Sequence, residues 1–134
     1  MKHENIVRVK NVMREEFDMI DGIATIAQAL RDAKHIETEC MIVNRRDEND
    51  EYGILLLADI AKKVLAADKA ADRVNVYEVM SKPVISVYPD MDIRYCARLF
   101  ENFGLTRAPV IQNKAVLGIV SYKDIVLQGL RDRL

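Results

Sequence analysis

Residues 118–125 read Gly-Ile-Val-Ser-Tyr-Lys-Asp-Ile, and residues 53–60 read Gly-Ile-Leu-Leu-Leu-Ala-Asp-Ile. Both stretches begin with a glycine and an apolar run, and both end in an Asp-Ile pair. A Val-Met pair precedes each of them, at Val12-Met13 and again at Val79-Met80. A pattern that returns once, with its parts in the same order, predicts two similar half-modules within one chain.

A helix is predicted early in each copy from apolar residues that recur at i, i+3, i+4 and i+7. Thr25 and Asp92 precede these stripes, and their side chains can accept hydrogen bonds from N–H groups of a first helical turn. Gly104 is expected to end the second helix. The stripes are Ile26, Ala29, Leu30 and Ala33 in the first copy, and Ile93, Cys96, Ala97 and Phe100 in the second.

Each of these helices is preceded by a short extended piece and followed by two strands and a closing helix. The segment 68–75 between the copies is expected to continue a helix and then bend. The order is therefore β-α-β-β-α twice, a mixed α/β (α+β) fold, with a first repeat at 1–75 that includes an N-terminal helix and linker, and a second repeat at 76–134. The extended pieces are 17–20 and 84–87, the strand pairs are 40–43 with 53–56 and 108–111 with 116–120, and the closing helices are 58–67 and 123–130.

Composition excludes several classes of partner. The chain has 134 residues, half of them apolar, and a formal net charge of -1, so a general attraction to nucleic acid or anionic lipid is not expected. No apolar run approaches the roughly 20 residues of a membrane helix, and Met1 to Lys10 lacks the apolar stretch of a signal peptide. We therefore expect a cytoplasmic protein with neither nucleic acid nor membrane as its main partner.

The sequence contains no recognisable catalytic or metal-binding arrangement. The acidic run from Asp47 to Glu51 departs from a calcium-binding loop, because Tyr52 stands at the sixth position, where the EF-hand pattern requires glycine. Cys40 and Cys96 lie in apolar settings, so buried free thiols are expected. We expect no catalytic residue, no metal site and no enzymatic activity.

The repeated β-α-β-β-α order, the Val-Met starts and the Gly-Ile endings that close on Asp-Ile resemble the CBS (cystathionine-β-synthase) domain. A tandem of two such domains is a Bateman module, and the resemblance covers roughly residues 7 to 130. It implies two pseudo-symmetric repeats packed through their sheets. It also implies a regulatory function: such modules bind AMP, ADP, ATP or S-adenosylmethionine as a regulatory ligand and act on an effector protein, here of unknown identity.

The family pattern implies roles for two residues at the end of the second copy. Ser121 would bind phosphate, and Asp124 would accept hydrogen bonds from both ribose hydroxyls. These residues are three apart and lie on one side of a first helical turn. The alternative is that both only cap the helix that begins near Tyr122. The other ligand-binding residues that the resemblance implies are Val84, Ile85, Thr106, Arg107, Ala108, Pro109 and Ile119.

The choice of ligand depends on cations near this predicted site. Thr106 stands where related modules often place a cation, and Thr carries no charge. Arg107 follows it and would point to the other face of a strand, so it is not counted as a substitute. Because a triphosphate requires Arg or Lys donors, a monophosphate or a less anionic adenosyl compound is expected rather than ATP.

The matching site in the first copy is predicted to be weak or vestigial. Asp59 is retained there, but Leu56 cannot bind phosphate. Glu39 stands at the position that matches Thr106, and its negative charge would repel a phosphate group. Lys123 could offset Glu39, although a solvated helix position is the simpler interpretation of this lysine. The two copies are therefore expected to be alike in fold and unlike in chemistry.

A ligand-free association module is the alternative function. The apolar faces of the helices at 26–33 and 93–103 would then pair two copies of the chain, and Ser121 and Asp124 would be caps. A homodimer is expected under both interpretations.

Overall fold

A computed structural model describes residues 6–134 of the chain, and the chain divides into two compact units. The first unit is residues 16–84, and the second unit is residues 6–15 together with 85–134. The boundaries of these compact units differ from those of the sequence repeats, 1–75 and 76–134. The first described residues of each repeat belong to the unit that contains most of the other repeat. Residues 1–5, which include half of the segment from Met1 to Lys10, lie outside the described residues.

Apart from the segments 68–75 and 84–87, the helices and strands follow one another in the predicted order, which confirms the mixed α/β class. A π-helical turn, Ala61–Leu65, extends α3, and short 3-10 turns lie at Ile36–Thr38, Val76–Glu78 and Arg131–Arg133. The elements are α1 (Val9–Val12), β1 (Met19–Ile20), α2 (Ile26–Asp32), β2 (Cys40–Val43), β3 (Gly53–Leu56), α3 (Leu57–Ile60), α4 (Ile93–Phe103), β4 (Arg107–Gln112), β5 (Ala115–Ser121) and α5 (Tyr122–Gly129).

The first unit is built on a three-stranded sheet. β1 runs parallel to β2, and β2 runs antiparallel to β3. α2 begins at Thr25, whose hydroxyl oxygen accepts from the Gln28 N–H at 3.1 Å, as predicted. Ile26 and Ala29 of α2 are buried in one apolar cluster with residues of β2 and β3. Leu30, expected in the same stripe, is 45% exposed, because this short helix buries only a narrow face.

The second unit is built on the antiparallel pair β4–β5. α4 begins at Asp92, whose carboxylate accepts from the Arg94 N–H at 2.9 Å, and it ends at Gly104 with a φ of 65°. The Arg94 guanidinium, hydrogen-bonded to the same carboxylate, lowers the pKa of Asp92. Phe100 of α4 is fully buried and meets the Tyr122 ring edge-on, with ring centroids 5.1 Å apart.

Two predicted elements are absent at their predicted places. The extended piece predicted at 84–87 does not form a strand: Val87 alone pairs with the sheet, in an isolated parallel bridge with Val110, and the sheet of the second unit has only β4 and β5 among the described residues. The helical continuation through 68–75 was wrong. Asp68 adopts a φ of 56°, a left-handed conformation that an α-helix cannot continue through, and turns follow it.

Both cysteines are buried thiols, and neither forms a disulfide, as expected. Burial raises the pKa of the Cys96 thiol to about 11. Cys96 therefore behaves as a small apolar side chain of the core, since the reactive form of cysteine is the thiolate.

Each unit is completed by a short main-chain pairing with the segment that follows a Val-Met pair. In the second unit, the Arg14 N–H donates to the Ile119 carbonyl at 2.8 Å, and the Ile119 N–H donates to the Arg14 carbonyl at 2.9 Å. In the first unit, Ser81 and Ile54 exchange the same two bonds, each at 2.9 Å. The two repeated motifs, Val-Met and Gly-Ile, are therefore contact partners across the sequence repeat.

Gly118→Ala should destabilise the second unit. A Cβ at Gly118 would collide with the Arg14 carbonyl oxygen, which is fixed by its bond to Ile119. We expect a loss of about 1–3 kcal/mol in the free energy of unfolding, measured from the urea midpoint.

Gly22→Ala is the matched control for this change. Its Cβ would lie 3.6 Å from both the Tyr77 and the Val43 side chains, which is ordinary van der Waals contact. Its free energy of unfolding should stay within about 0.5 kcal/mol of the wild-type value. Equal urea midpoints for the two variants would show that the close approach at Gly118 is not required.

Candidate functional site

Ser121 marks the point where β5 runs directly into α5. Its hydroxyl oxygen accepts from the Asp124 N–H at 3.2 Å, and its hydroxyl hydrogen is donated to Asp124 Oδ2 at 2.9 Å. Ser121 is thus the N-cap of α5, so the capping role considered in the sequence is present. A hydroxyl and a carboxylate are placed together at the positive end of a helix.

The Asp124 carboxylate is buried, and a residue that the sequence did not single out holds its second oxygen. Its side chain is 3% exposed, and Oδ1 lies 3.3 Å from Nε of Arg14. Arg14 reaches this position because its main chain is paired with Ile119. Both carboxylate oxygens are therefore engaged within the protein, one by Ser121 and the other by Arg14.

A signal for Arg14 was present in the repeat. Arg14 follows Val12-Met13, just as Ser81 follows Val79-Met80, so the two residues hold matching positions. The repeat alone does not show that each Val-Met segment pairs with the Gly-Ile strand of the other copy. Without knowledge of that pairing, the spacing of Arg14 and Asp124 in the sequence does not predict their contact.

Thr106 and Arg107 lie beside the same junction. The Thr106 carbonyl accepts from the Tyr122 N–H at 3.0 Å, and Arg107 stands directly opposite Ser121 in the β4–β5 register. Residues directly opposite each other share one sheet face. The expectation that Arg107 points away from Thr106 was wrong, since Nε of Arg107 donates to the Thr106 hydroxyl oxygen at 3.3 Å. Thr106 precedes the first residue of β4, so the alternation of side chains along a strand does not apply to this pair.

The remaining predicted residues fall into three groups. Pro109 and Ile119 are opposite each other in the register and share the sheet face of Arg107 and Ser121. Ala108 is fully buried in the core cluster of the second unit, on the other face. Val84 belongs to the first unit, where its N–H donates to the Tyr52 carbonyl at 3.0 Å, while Ile85 begins the returning part of the second unit and is 36% exposed.

The first copy has the same backbone junction with different side chains. Leu56 ends β3 at the N-cap of α3 and forms no side-chain cap. The Leu57 N–H donates to the Glu39 carbonyl at 3.1 Å, which reproduces the Tyr122–Thr106 bond and confirms that Glu39 matches Thr106. Asp59 is partly buried in α3 of the first unit, and Lys123 is exposed on α5 of the second unit.

Residues 6–134 contain neither a cluster of metal-binding side chains nor a helix suited to span a membrane. No group of three or more His, Cys, Asp or Glu side chains there could hold a metal ion. None of the helices in that range has the length and apolar character needed to cross a membrane.

Comparison with known proteins places the chain in a family. The family model described as CBS domain matches residues 76–129. The hexameric CBS-CP12 protein of bloom-forming cyanobacteria is 37% identical, with a TM-score of 0.89, over 96% of this chain and 74% of that one. The chain belongs to the CBS-domain family.

Other relatives of this CBS-domain chain extend the comparison. An uncharacterized protein of Methanopyrus kandleri is 33% identical over 113 residues, which cover 81% of this chain. A homoserine O-acetyltransferase of Methanococcus vannielii is 29% identical over 120 residues. This chain spans 57% of the length of the first protein and 24% of the second. A CBS domain pair solved with 5′-methylthioadenosine and S-adenosyl-L-methionine is 25% identical, with a TM-score of 0.76, over 94% of this chain and 98% of that one.

The Arg14–Asp124 pair should contribute to stability, since Asp124 is buried. Removing one partner leaves a buried charge without compensation. A double-mutant cycle with Arg14→Ala and Asp124→Ala, measured by urea unfolding, should give a coupling energy of about 1–3 kcal/mol.

The Lys10–Asp90 pair is the control for this cycle. It lies in the same unit at 2.9 Å, with side chains 50% and 65% exposed. Its coupling energy should be clearly smaller than that of the Arg14–Asp124 pair, because solvent screens exposed pairs. Equal coupling energies for the two pairs would contradict a special role for the burial of Asp124.

Proposed function

We propose that this chain is a regulatory module that binds an adenosine-containing ligand, of the AMP, ADP, ATP or S-adenosylmethionine class, mainly at Ser121 and Asp124. The observation that carries the proposal is the hydroxyl, carboxylate and guanidinium gathered at the β5–α5 junction. The CBS domain pair solved with S-adenosyl-L-methionine supports the ligand class. The chain would transmit ligand binding to a separate effector protein and would not itself be an enzyme.

The ligand must compete with the ion pair inside the protein. The Asp124 carboxylate is paired with Arg14, and its side chain is only 3% exposed. A ribose diol can therefore reach Oδ1 only when the Arg14 guanidinium moves away. The main chain of Arg14 stays bonded to Ile119 during such a movement, which keeps the displaced guanidinium near the site. A phosphate on the ligand would then give Arg14 a new anionic partner.

Two cations at this junction change the expected ligand preference. Arg14 lies at Asp124, and Arg107 lies at Thr106, on the strand directly opposite Ser121. The scarcity of cations was the reason for expecting a weakly charged ligand, and the structure supplies two. We propose that a phosphate-bearing adenosine ligand binds more tightly than an uncharged adenosine derivative.

Self-association is the second candidate function, and exposed apolar side chains on two helices favour it. Tyr95 and Phe103 of α4 are 58% and 59% exposed, and Val126 of α5 is 48% exposed. One relative is described as hexameric. We propose a homodimer for this chain, formed with or without ligand.

Asp124→Asn should abolish ligand-dependent stabilisation. A ligand that binds only the folded state raises the melting midpoint with concentration. We expect AMP, ADP, ATP or S-adenosylmethionine to raise the wild-type midpoint by several degrees at millimolar concentration. Asp124→Asn should remove that rise, since the amide cannot accept two ribose hydroxyls as a carboxylate does, and Ser121→Ala should reduce it for phosphate-bearing ligands.

Asp59→Asn is the matched control, and it should leave the ligand-dependent rise unchanged. Equal losses in Asp59→Asn and Asp124→Asn would contradict a single main site. If no ligand raises the wild-type midpoint, ligand binding is excluded and association remains. Light scattering on the same samples then gives the oligomeric mass, and a monomer at high concentration would contradict the homodimer.

Arg14→Ala should move the affinities of two ligands in opposite directions. Methylthioadenosine gains affinity because it no longer has to break an ion pair, whereas AMP loses affinity because its phosphate loses a cation. We expect changes of about threefold to tenfold each, which correspond to roughly 0.6–1.4 kcal/mol, measured by calorimetric titration. Lys10→Ala, an exposed cation on the same segment, should change neither affinity. A change in the same direction for both ligands would contradict the displacement of Arg14.

A further inference from the structure

A cavity of about 650 Å³ opens in the first unit, where β1 and β2 end. This end of the sheet holds the Val43–Gly53 pair, while Leu56 pairs with Cys40 at the other end. The cavity therefore lies at one end of the sheet, and Leu56, which leads into the helix that carries Asp59, lies at the other end. Its lining includes Asp21, Ile23, Arg45, Arg46, Tyr77 and Lys82.

Two large apolar side chains line this cavity and are left in contact with water. Ile23 is 81% exposed and Tyr77 is 55% exposed. Their backbones are ordered, because the Tyr77 N–H donates to the Gly22 carbonyl at 2.9 Å and the neighbouring Val76 N–H donates to the Ala24 carbonyl at 2.8 Å. Exposed apolar walls on a fixed backbone are typical of ligand pockets of this size.

Cationic side chains stand at one side of the same cavity. Nζ of Lys82 lies 2.6 Å from Asp50 Oδ1, and Nε of Arg46 lies 3.1 Å from Asp50 Oδ2. The Asp50 side chain is 8% exposed, and Arg46 and Lys82 hold its pKa well below the usual range, so the carboxylate stays ionised and keeps both cations in place. One buried carboxylate therefore holds two cations.

Arg45 adds a third cation to the lining of the cavity. The guanidinium carbon of Arg45 lies 5.1 Å from the centre of the Tyr52 ring, which orients the guanidinium plane. Asp21, the one carboxylate that lines the cavity, accepts from the Asn44 side-chain amide at 2.9 Å. Asp47 and Glu48 line an adjoining open recess that also contains Arg45 and Tyr52.

We propose that this cavity binds a small aromatic anion, with its flat apolar body against Ile23 and Tyr77 and its anionic group at Arg45 and Arg46. The positive charges of Arg45 and Arg46 favour an anionic group, and the exposed side chains of Ile23 and Tyr77 favour a flat apolar body. The inference is independent of the proposed nucleoside site, since no residue of the cavity belongs to the second unit.

The test uses the whole chain and the fluorescent probe anilinonaphthalene sulfonate, an aromatic body that carries one anionic group. We expect saturable one-to-one binding that weakens at least about tenfold in Tyr77→Ala and in Arg45→Gln. Uncharged anilinonaphthalene should bind at least about tenfold more weakly than the sulfonate, and inorganic phosphate alone should not displace the probe. Unchanged affinity in both variants, or equal binding of the uncharged probe, would overturn the proposal.

Matched controls come from an exposed arginine–tyrosine pair on α4. The guanidinium carbon of Arg98 lies 5.3 Å from the centre of the Tyr95 ring, and neither residue lines the cavity of the first unit. Tyr95→Ala and Arg98→Gln should leave probe binding unchanged, as should Asp124→Asn, and loss of binding in any of these three would overturn the proposal. Tyr77→Phe keeps the ring and should keep the affinity, and an unchanged melting midpoint in Tyr77→Ala would show that this variant is folded.

Discussion

The close approach of two backbones at Gly118 is the constraint on which the candidate site depends. Arg14 and Ile119 exchange a pair of main-chain hydrogen bonds only because position 118 carries no side chain. Gly53 has the same function in the other unit, where Met80 Sδ and the Ser81 carbonyl lie 3.0 and 3.2 Å from where its Cβ would be. The glycine that opens each Gly-Ile motif thus selects the segment after a Val-Met pair as its partner.

The backbone pairing is the same in the two units, but the side chains at the matching positions differ. The residue opposite Ile119 is Arg14, and the residue opposite Ile54 is Ser81. The residue at the strand-to-helix junction is Ser121 in one unit and Leu56 in the other. A cation and a hydroxyl therefore meet a buried carboxylate in the second unit, while the matching carboxylate, Asp59, lies three residues after Leu56, which has no hydroxyl.

Local signals in the sequence were sufficient for most of the helices and strands, and they were insufficient for contacts between distant segments. Thr25 and Asp92 cap helices as predicted because capping depends on neighbours within three residues. Whether the extended piece at 84–87 forms a strand depends on partners elsewhere in the chain, and there the prediction was wrong. Leu30 has the spacing expected of a buried residue in a helix, but a short helix buries only some of the positions that this spacing identifies.

The candidate site shows the same division between local and distant information. Ser121 and Asp124 are three residues apart, so their contact could be predicted from helix geometry. Arg14 is more than a hundred residues from Asp124 in sequence, and only the pairing of its segment with β5 brings the two together. The contact of Arg107 with Thr106 was not predicted, because Thr106 precedes β4 and the alternation of side chains along a strand does not apply to this pair.

The closed Arg14–Asp124 pair also bears on how such a module could discriminate between ligands. A carboxylate that is already satisfied gives a ligand little net free energy, because each new hydrogen bond replaces an existing one. A ligand that offers Arg14 a replacement anion recovers the cost of breaking the pair, and a ligand without an anion does not. A regulatory response requires that the ligand bind the closed and open arrangements with unequal affinity. The internal ion pair would therefore set both the affinity of the site and the size of the change that an effector could detect.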